Sequence, residues 1–309
     1  MTSTKLLAGV ELGGTKCVCV LGTGPSDIRA QERLPTSDPA STLTRIEAVL
    51  SQWADAHGRF EALGLASFGP LDLNGKSATY GYVTATTKSG WGNTRIAGRF
   101  AERFGVPVGF DTDVNGAALG EGRWGAAQGL DNFAYVTVGT GVGVGLIVDG
   151  KPIFGCGHPE MGHIRIVRLP GDTWPGHCGF HGDCVEGLAS GPAIRARVGA
   201  AAETLAGDHS VWDTVVHALA QLLHTMVVTT APERIILGGG VLASREALFG
   251  RIRAMLVKSL NGYVKASELE SGLDAYVVAP GLGTLSGSLG ALVLADRALA
   301  LSSRRGHGE

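Results

Sequence analysis

Cys178, His181 and Cys184 form a C-x-x-H-x-x-C run within seven residues, and His163 closes the upstream string Glu160-Met-Gly-His163. Two thiolates and two imidazoles suit tetrahedral zinc, and a closed four-ligand set marks a structural metal rather than one that activates water. His163 is the natural fourth ligand. Its rivals are His177, strained by adjacency to Cys178, and Cys156 or His158. The competing reading is a disulfide with incidental histidines, which a reducing compartment disfavours. Cys17 and Cys19 alternate on one apolar strand-like run and read as reduced core residues.

Three glycine loops form a second kind of signal: Leu12-Gly-Gly-Thr-Lys16, Val138-Gly-Thr-Gly-Val-Gly143 and Leu237-Gly-Gly-Gly-Val241. Each offers backbone N–H groups with little side-chain obstruction, the chemistry of a phosphate nest, and Thr or Lys adds a donor. None is a Walker loop or a dinucleotide fingerprint. A single such turn could as well simply close a hairpin, whereas three in one chain point to a nucleotide cleft. Asp111-Thr-Asp-Val-Asn115 then lies where a strand ends and a helix opens. A carboxylate there could take a proton from a hydroxyl attacking a phosphoryl group. It could equally cap the helix, and position alone does not separate Asp111 from Asp113.

These residues need elements to hold them. Leu6–Glu11 and Cys17–Gly22 read as strands around the first glycine turn, and 40–58 has helical spacing in Leu43, Ile46, Val49, Leu50 and Trp53. A buried strand follows at Glu61–Phe68, a helix at Ile96–Phe104, a strand at Val106–Phe110 and a helix at Asn115–Arg123. Phe133–Val138 and Val142–Val148 repeat the strand–glycine turn–strand unit. Val211–Thr230 is a long apolar-periodic helix, Arg234–Leu237 and Tyr276–Val278 are strands, Gly287–Leu301 is a closing helix, and the polar tail 302–309 is expected to fray. The alternation predicts α/β architecture built on a duplicated βββαβα-type domain. His217 and His224 on the long helix read as structural, and among the scattered tryptophans only Trp91 is given a place near a cleft.

Composition narrows the class. The chain has 309 residues with a formal net charge of -2 and 48 glycines, which is about twice the usual share. A charged fraction of 17% against 44% hydrophobic excludes disorder as the main state. The absence of a basic block predicts no nucleic-acid partner. With no secretory leader and no run of about 18 uninterrupted apolar residues, the expectation is a cytoplasmic protein without a membrane span.

Taken together and in order, Glu11-Leu-Gly-Gly-Thr-Lys16, Ser67-Phe-Gly-Pro70, Thr87-Lys-Ser-Gly-Trp91, Asp113-Val-Asn115, Gly139-Thr-Gly-Val-Gly143, Glu160-x-Gly-His163, His181-Gly-Asp-Cys-Val-Glu186 and Gly238-Gly-Gly240 resemble the ROK sugar kinases, from Glu11 to about Leu299. Within that family the chain is most similar to bacterial fructokinases. The resemblance implies the actin-like ATPase (ribonuclease H-like) fold, with two domains around a nucleotide and sugar cleft. The division expected is 1–112 plus 286–309 for the small domain and 113–285 for the large one with its zinc-binding loop.

The same resemblance implies roles. Gly13, Gly14, Thr15 and Lys16 would form the first phosphate loop, Gly139, Thr140 and Gly141 the second, and Gly238 and Gly239 the adenosine-side loop. Asp113 matches the catalytic base. Asn115, Glu160, His163 and Glu186 match sugar-side residues, with His163 serving zinc through one ring nitrogen and sugar through the other. Glu11 stands where many members have Asp near magnesium. The Cys-His-Cys set departs from the C-x-C-x4-C of glucokinase-like members and, with Thr-Lys-x-Gly-Trp, favours fructose. Thr86 stands where related members often have Pro. The implied reaction is phosphoryl transfer from magnesium ATP to a hexose, most simply D-fructose, by a homodimer with structural zinc. A glucokinase, mannokinase or N-acylmannosamine kinase is the nearer alternative. A sugar-responsive repressor is the remoter one, since the family's repressors carry a helix-turn-helix domain ahead of the first phosphate loop.

Overall fold

The computed structural model describes residues 5–243, 245–264 and 272–305. Contacts divide the chain into two compact units: Met1–Gly129 with Pro152–His158 and Gly281–Glu309, and Leu130–Lys151 with Pro159–Pro280.

In the first unit, β1 (Leu7–Leu12), β2 (Lys16–Gly24), β3 (Asp27–Pro35), β4 (Ala62–Ser67) and β7 (Val108–Thr112) form one sheet in the order β3-β2-β1-β4-β7, and β5 (Tyr82–Val83) pairs antiparallel with β6 (Thr94–Arg95) in a separate ribbon. β1 pairs antiparallel with β2 and parallel with β4, and β4 runs parallel to β7. Both faces are covered, so the central strands read as continuous apolar runs; every residue of β4 is buried. Alternation still sorts the side chains. Ala8, Val10, Leu12, Cys17, Cys19 and Leu21 face a core shared with α1 (Pro39–His57) and α2 (Ala97–Phe104), whereas Leu7 and Val20 face α8 (Ser286–Arg305). α1 begins on Asp38, whose carboxylate accepts from Ser41 N at 2.9 Å, with Pro39 in the first turn.

α3 (Asp113–Trp124) and α8 cross at backbone distance, and a Cβ on Gly290 would overlap the Gly116 carbonyl. Beside that crossing Glu121, fully buried, accepts from Ala126 N (2.7 Å), Gly281 N (2.9 Å), Leu282 N (3.0 Å) and Ser286 Oγ (2.7 Å). These bonds place α3 and residues 281–285 with the first unit, whereas the sequence division put both in the large domain. Glu121→Ala would leave four donors without an acceptor, at about 1–3 kcal/mol for each that water fails to reach. The urea midpoint should fall by the equivalent of about 3 kcal/mol or more, and an unchanged midpoint would refute this account.

The second unit repeats the topology. β8 (Phe133–Val138), β9 (Val142–Val148), β10 (Lys151–Pro152), β11 (Arg234–Gly238) and β12 (Val277–Val278) run in the order β10-β9-β8-β11-β12. β8 is antiparallel to β9 and parallel to β11, which is parallel to β12. This is the duplication the paired glycine turns predict. α6 (Val211–Thr230) packs on α7 (Glu246–Leu260), and His224 Nδ1 meets Ser259 Oγ at 2.8 Å. His217 Nε2 meets the Val167 carbonyl at 2.6 Å, so both histidines are structural.

Some elements exceed the sequence reading. β3 carries polar residues at most positions and escapes an apolar search. α7 has Leu248, Ile252, Leu256 and Leu260 buried at four-residue intervals. α4 (Val185–Ala189) and α5 (Gly191–Val198) follow the cysteine segment. α8 continues to Arg305, four residues past the expected end; 306–309 lie outside the described residues. By length and composition alone α6 and 283–304 could cross a membrane, but 67% and 56% of their apolar windows are buried within the protein, as in core helices.

Candidate functional site

The first glycine turn is held from three sides. Gly13 N donates to Lys16 O (3.0 Å), Thr36 N to Thr15 O (3.0 Å), Thr36 Oγ1 to Gly13 O (2.8 Å) and Lys88 Nζ to Gly14 O (2.6 Å). Trp91 anchors the lysine's loop: its indole donates to Ser37 O at 2.8 Å and its ring meets Phe68 edge-on at 5.1 Å. Trp91 is fully buried, which corrects the expectation of a tryptophan near a cleft; it is a core residue.

Glu11 is the penultimate residue of β1 and lies close to the start of α8, where a Cβ on Gly287 would overlap its carboxylate. Burial raises its pKa, against the pull of Lys16 and Arg33.

At the β7–α3 corner the capping residue is Thr112, which neither aspartate reading named. Its hydroxyl accepts from Asn115 N at 3.1 Å. Asp111 Oδ1 accepts from Thr112 N and from Asn115 Nδ2, both at 2.7 Å, and burial raises its pKa despite those donors. Asp113 is half-buried on the first turn of α3, with Oδ1 accepting from Val114 N at 2.9 Å. Asp111 and the buried Asn115 thus bond to one another at the corner, and Asp113 lies between them in the chain, on the first turn of α3.

In the second unit the structure gathers residues scattered over a hundred positions. Glu186, on the first turn of α4, accepts from Val142 N at 3.0 Å, and its Oε2 lies against Gly141. Gly139 O accepts from Gly191 N (2.8 Å), and Val138 O from Val241 N (2.9 Å), which sets the Gly238–Gly239 turn beside the second glycine loop. Thr140 is exposed at its tip. Glu160 is exposed at the start of the single turn Met161–His163, and its carbonyl accepts from His163 N at 3.0 Å.

His163 Nδ1 faces Cys178 Sγ (3.5 Å) and Cys184 Sγ (3.6 Å), and His181 Nδ1 faces Cys178 Sγ (3.7 Å). Zinc bonds of about 2.0–2.3 Å at a tetrahedral angle put nitrogen and sulfur about 3.6 Å apart. All four ligand atoms lie within 4.8 Å of one another. The set is His163, Cys178, His181 and Cys184; Cys156 is exposed and outside it, and His158 Nε2 instead accepts from Leu71 N at 3.0 Å. No disulfide joins the cysteines. Burial, with Cys178 beside it, pushes the Cys184 thiol up to about 11, so a metal must displace a proton to bind. On the far side of the His163 ring, Nε2 stands 4.0 Å from Glu186 Oε1.

An ion network that the sequence gives no periodic signal for holds this segment. Arg168 reaches Asp183 (2.9 Å), Asp172 (3.1 Å) and Trp174 O (2.7 Å), while Arg197 pairs with both Asp172 oxygens at 2.9 and 3.0 Å. Asp183 sits between two metal-ligand positions. Arg168→Ala is therefore expected to lower metal affinity about 10- to 100-fold in a chelator competition, and unchanged affinity would count against it.

The ROK family pattern matches residues 7–298, and the chain belongs to that family. It is 43% identical to a putative fructokinase of Bacillus subtilis over 97% of this chain and 99% of the relative, and 40% identical to a fructokinase of Pediococcus pentosaceus over 95% and 99%. A ROK family glucokinase from Streptomyces griseus, solved with glucose and AMPPNP, superposes with a TM-score of 0.76 at 26% identity, over 94% of this chain and 99% of that one. The fold is that of the actin-like ATPases.

Proposed function

We propose that this protein transfers the γ-phosphoryl group of ATP to D-fructose, giving fructose 6-phosphate. The observation that carries the sugar is identity of 40% or more, over nearly the whole chain, to two relatives named for fructose phosphorylation. The observation that carries the chemistry is a half-buried carboxylate at a strand–helix corner in a chain with three glycine loops.

Asp113 accepts the proton of the sugar hydroxyl as its oxygen bonds to phosphorus and the bond from phosphorus to the β-bridging oxygen breaks. Asn115, its amide committed to Asp111, fixes the corner that carries the base. Gly13, Gly14, Thr15 and Lys16 hold phosphate oxygens, as do Gly139, Thr140 and Gly141, and Gly238 and Gly239 border the adenosine. Glu160, His163 and Glu186 bind sugar hydroxyls. The 4.0 Å between His163 Nε2 and Glu186 Oε1 exceeds a hydrogen bond and leaves both atoms for a hydroxyl.

Glu11 fits the magnesium of a bound nucleotide: its carboxylate accepts no hydrogen bond among the described residues, and a hard cation would satisfy it. Magnesium held there would supply charge neutralisation for the phosphoryl transfer. Zinc on His163, Cys178, His181 and Cys184 orders the sugar-side segment. We further infer a cytoplasmic homodimer with no nucleic-acid partner, in keeping with the near-neutral charge. An ADP-release assay across fructose, glucose, mannose and N-acetylmannosamine tests the reading. Fructose should have the highest kcat/KM. A preference for glucose, the sugar bound by the Streptomyces griseus relative, would retain the kinase and replace the substrate.

A further inference from the structure

The first glycine loop carries a cation that the roles above leave unused. Lys88 Nζ lies 2.6 Å from Gly14 O, and no carboxylate pairs with it among the described residues. Two other basic side chains, Lys16 and Arg33, act on Glu11. An ammonium has three donors. A backbone carbonyl occupies one and supplies no net negative charge.

The lysine is also held firmly. Its N–H donates to Thr86 Oγ1 (3.3 Å), whose hydroxyl donates to Gly69 O (3.1 Å), and its carbonyl accepts from Trp91 N (3.2 Å), beside the fully buried indole. A long side chain ordered onto the loop without a counter-ion is a prepared site for an anion, and the loop's outer face at Gly14 is open: a Cβ there would meet nothing within 4 Å.

We propose that Lys88 contacts the terminal phosphoryl group of the bound nucleotide and stays with it as it moves to the sugar, neutralising charge that develops on its equatorial oxygens. This rests on the kinase reading. No further co-reactant is needed, since Lys88 forms and breaks no covalent bond.

The test compares the wild type with Lys88→Met and Lys88→Arg. Calorimetry measures binding of ADP and a non-hydrolysable ATP analogue, and steady-state assays give kcat and both KM values. In Lys88→Met, affinity for the ATP analogue and kcat should each fall about 10- to 100-fold, with ADP affinity within about twofold of wild type, and Lys88→Arg should recover part of the loss. Equal losses for ADP and the analogue would overturn the proposal by making Lys88 a brace for the loop. Unchanged nucleotide binding with a raised fructose KM would overturn it by placing Lys88 on the sugar. Unfolding midpoints confirm that the variants fold. If the wild type phosphorylates none of the sugars, the kinase reading fails on that result, while the ADP-versus-analogue comparison still decides where Lys88 binds.

Discussion

Asp113→Asn should lower kcat by about 10²- to 10⁴-fold while leaving fructose affinity and the unfolding midpoint near wild type. The asparagine has the same shape and keeps an oxygen for Val114 N, so the first turn of α3 keeps that bond. The helix start does not depend on the carboxylate, because Thr112 provides the cap. What is lost is the only group at that position able to accept a proton. Asp111→Asn is the control. Its side-chain oxygen can still accept from Thr112 N and Asn115 Nδ2, and the substitution removes a charge whose burial is unfavourable. A folded-state pKa raised above the unfolded one means that the native state holds the proton more tightly. Stability from this group is therefore full below the unfolded value, near 4, and is lost as pH rises through the folded one. Asp111→Asn should remove that fall and keep the midpoint at or above wild type at neutral pH. Full turnover in Asp113→Asn, or loss of turnover in Asp111→Asn alone, would move the base to Asp111.

Much of this arrangement was legible from residue types. The glycine turns announced two copies of one sheet topology, because a strand–turn–strand unit with continuous apolar strands has few other uses. The spacing of Cys178, His181 and Cys184 announced a metal set. Sequence left the fourth ligand open, since His163, His177, His158 and Cys156 are all near in the chain; only the fold separates them, by tying His158 to Leu71 N. The strand β3 stayed hidden because an edge strand needs no second apolar face. Glu121 was missed although a lone carboxylate among Val114, Ala117, Ala118 and Leu119 is itself a signal of a buried acceptor. Lys88 and Arg168 had no such signal. Their partners, Gly14, Asp172 and Asp183, include a backbone carbonyl, and contact with a carbonyl leaves no trace in side-chain patterning.

Withdrawal of the metal should have the second-largest effect, and it should fall on the sugar rather than the nucleotide. The four ligands come from three places: the single turn Met161–His163, the Cys178–Gly182 bridge, and Cys184, which caps α4 with Sγ accepting from Gly187 N at 3.4 Å. A cation bound there would tie these together and fix the His163 ring by its Nδ1, which in turn would aim Nε2 at the space beside Glu186. Without it, the two thiols and two imidazoles have only weak mutual contacts, and the Arg168 network is left to hold 161–184 in register. The purified protein should carry about one zinc per chain. Stripping it with a chelator should raise the fructose KM by about tenfold, the equivalent of one or two hydrogen bonds to the sugar, and lower the melting temperature. Cys184→Ser should reproduce both changes in the presence of zinc. Cys156→Ser should change neither, because that thiol is exposed and outside the ligand set. ADP affinity should hold in all of these proteins, since the first glycine loop belongs to the first unit and the second is anchored by Gly191 N and Val241 N rather than by a metal-ligand residue. Equal weakening of fructose and ADP would mean that the metal supports the whole second unit rather than the sugar-side segment, and a zinc-free enzyme with an unaltered fructose KM would remove the metal from the sugar site altogether.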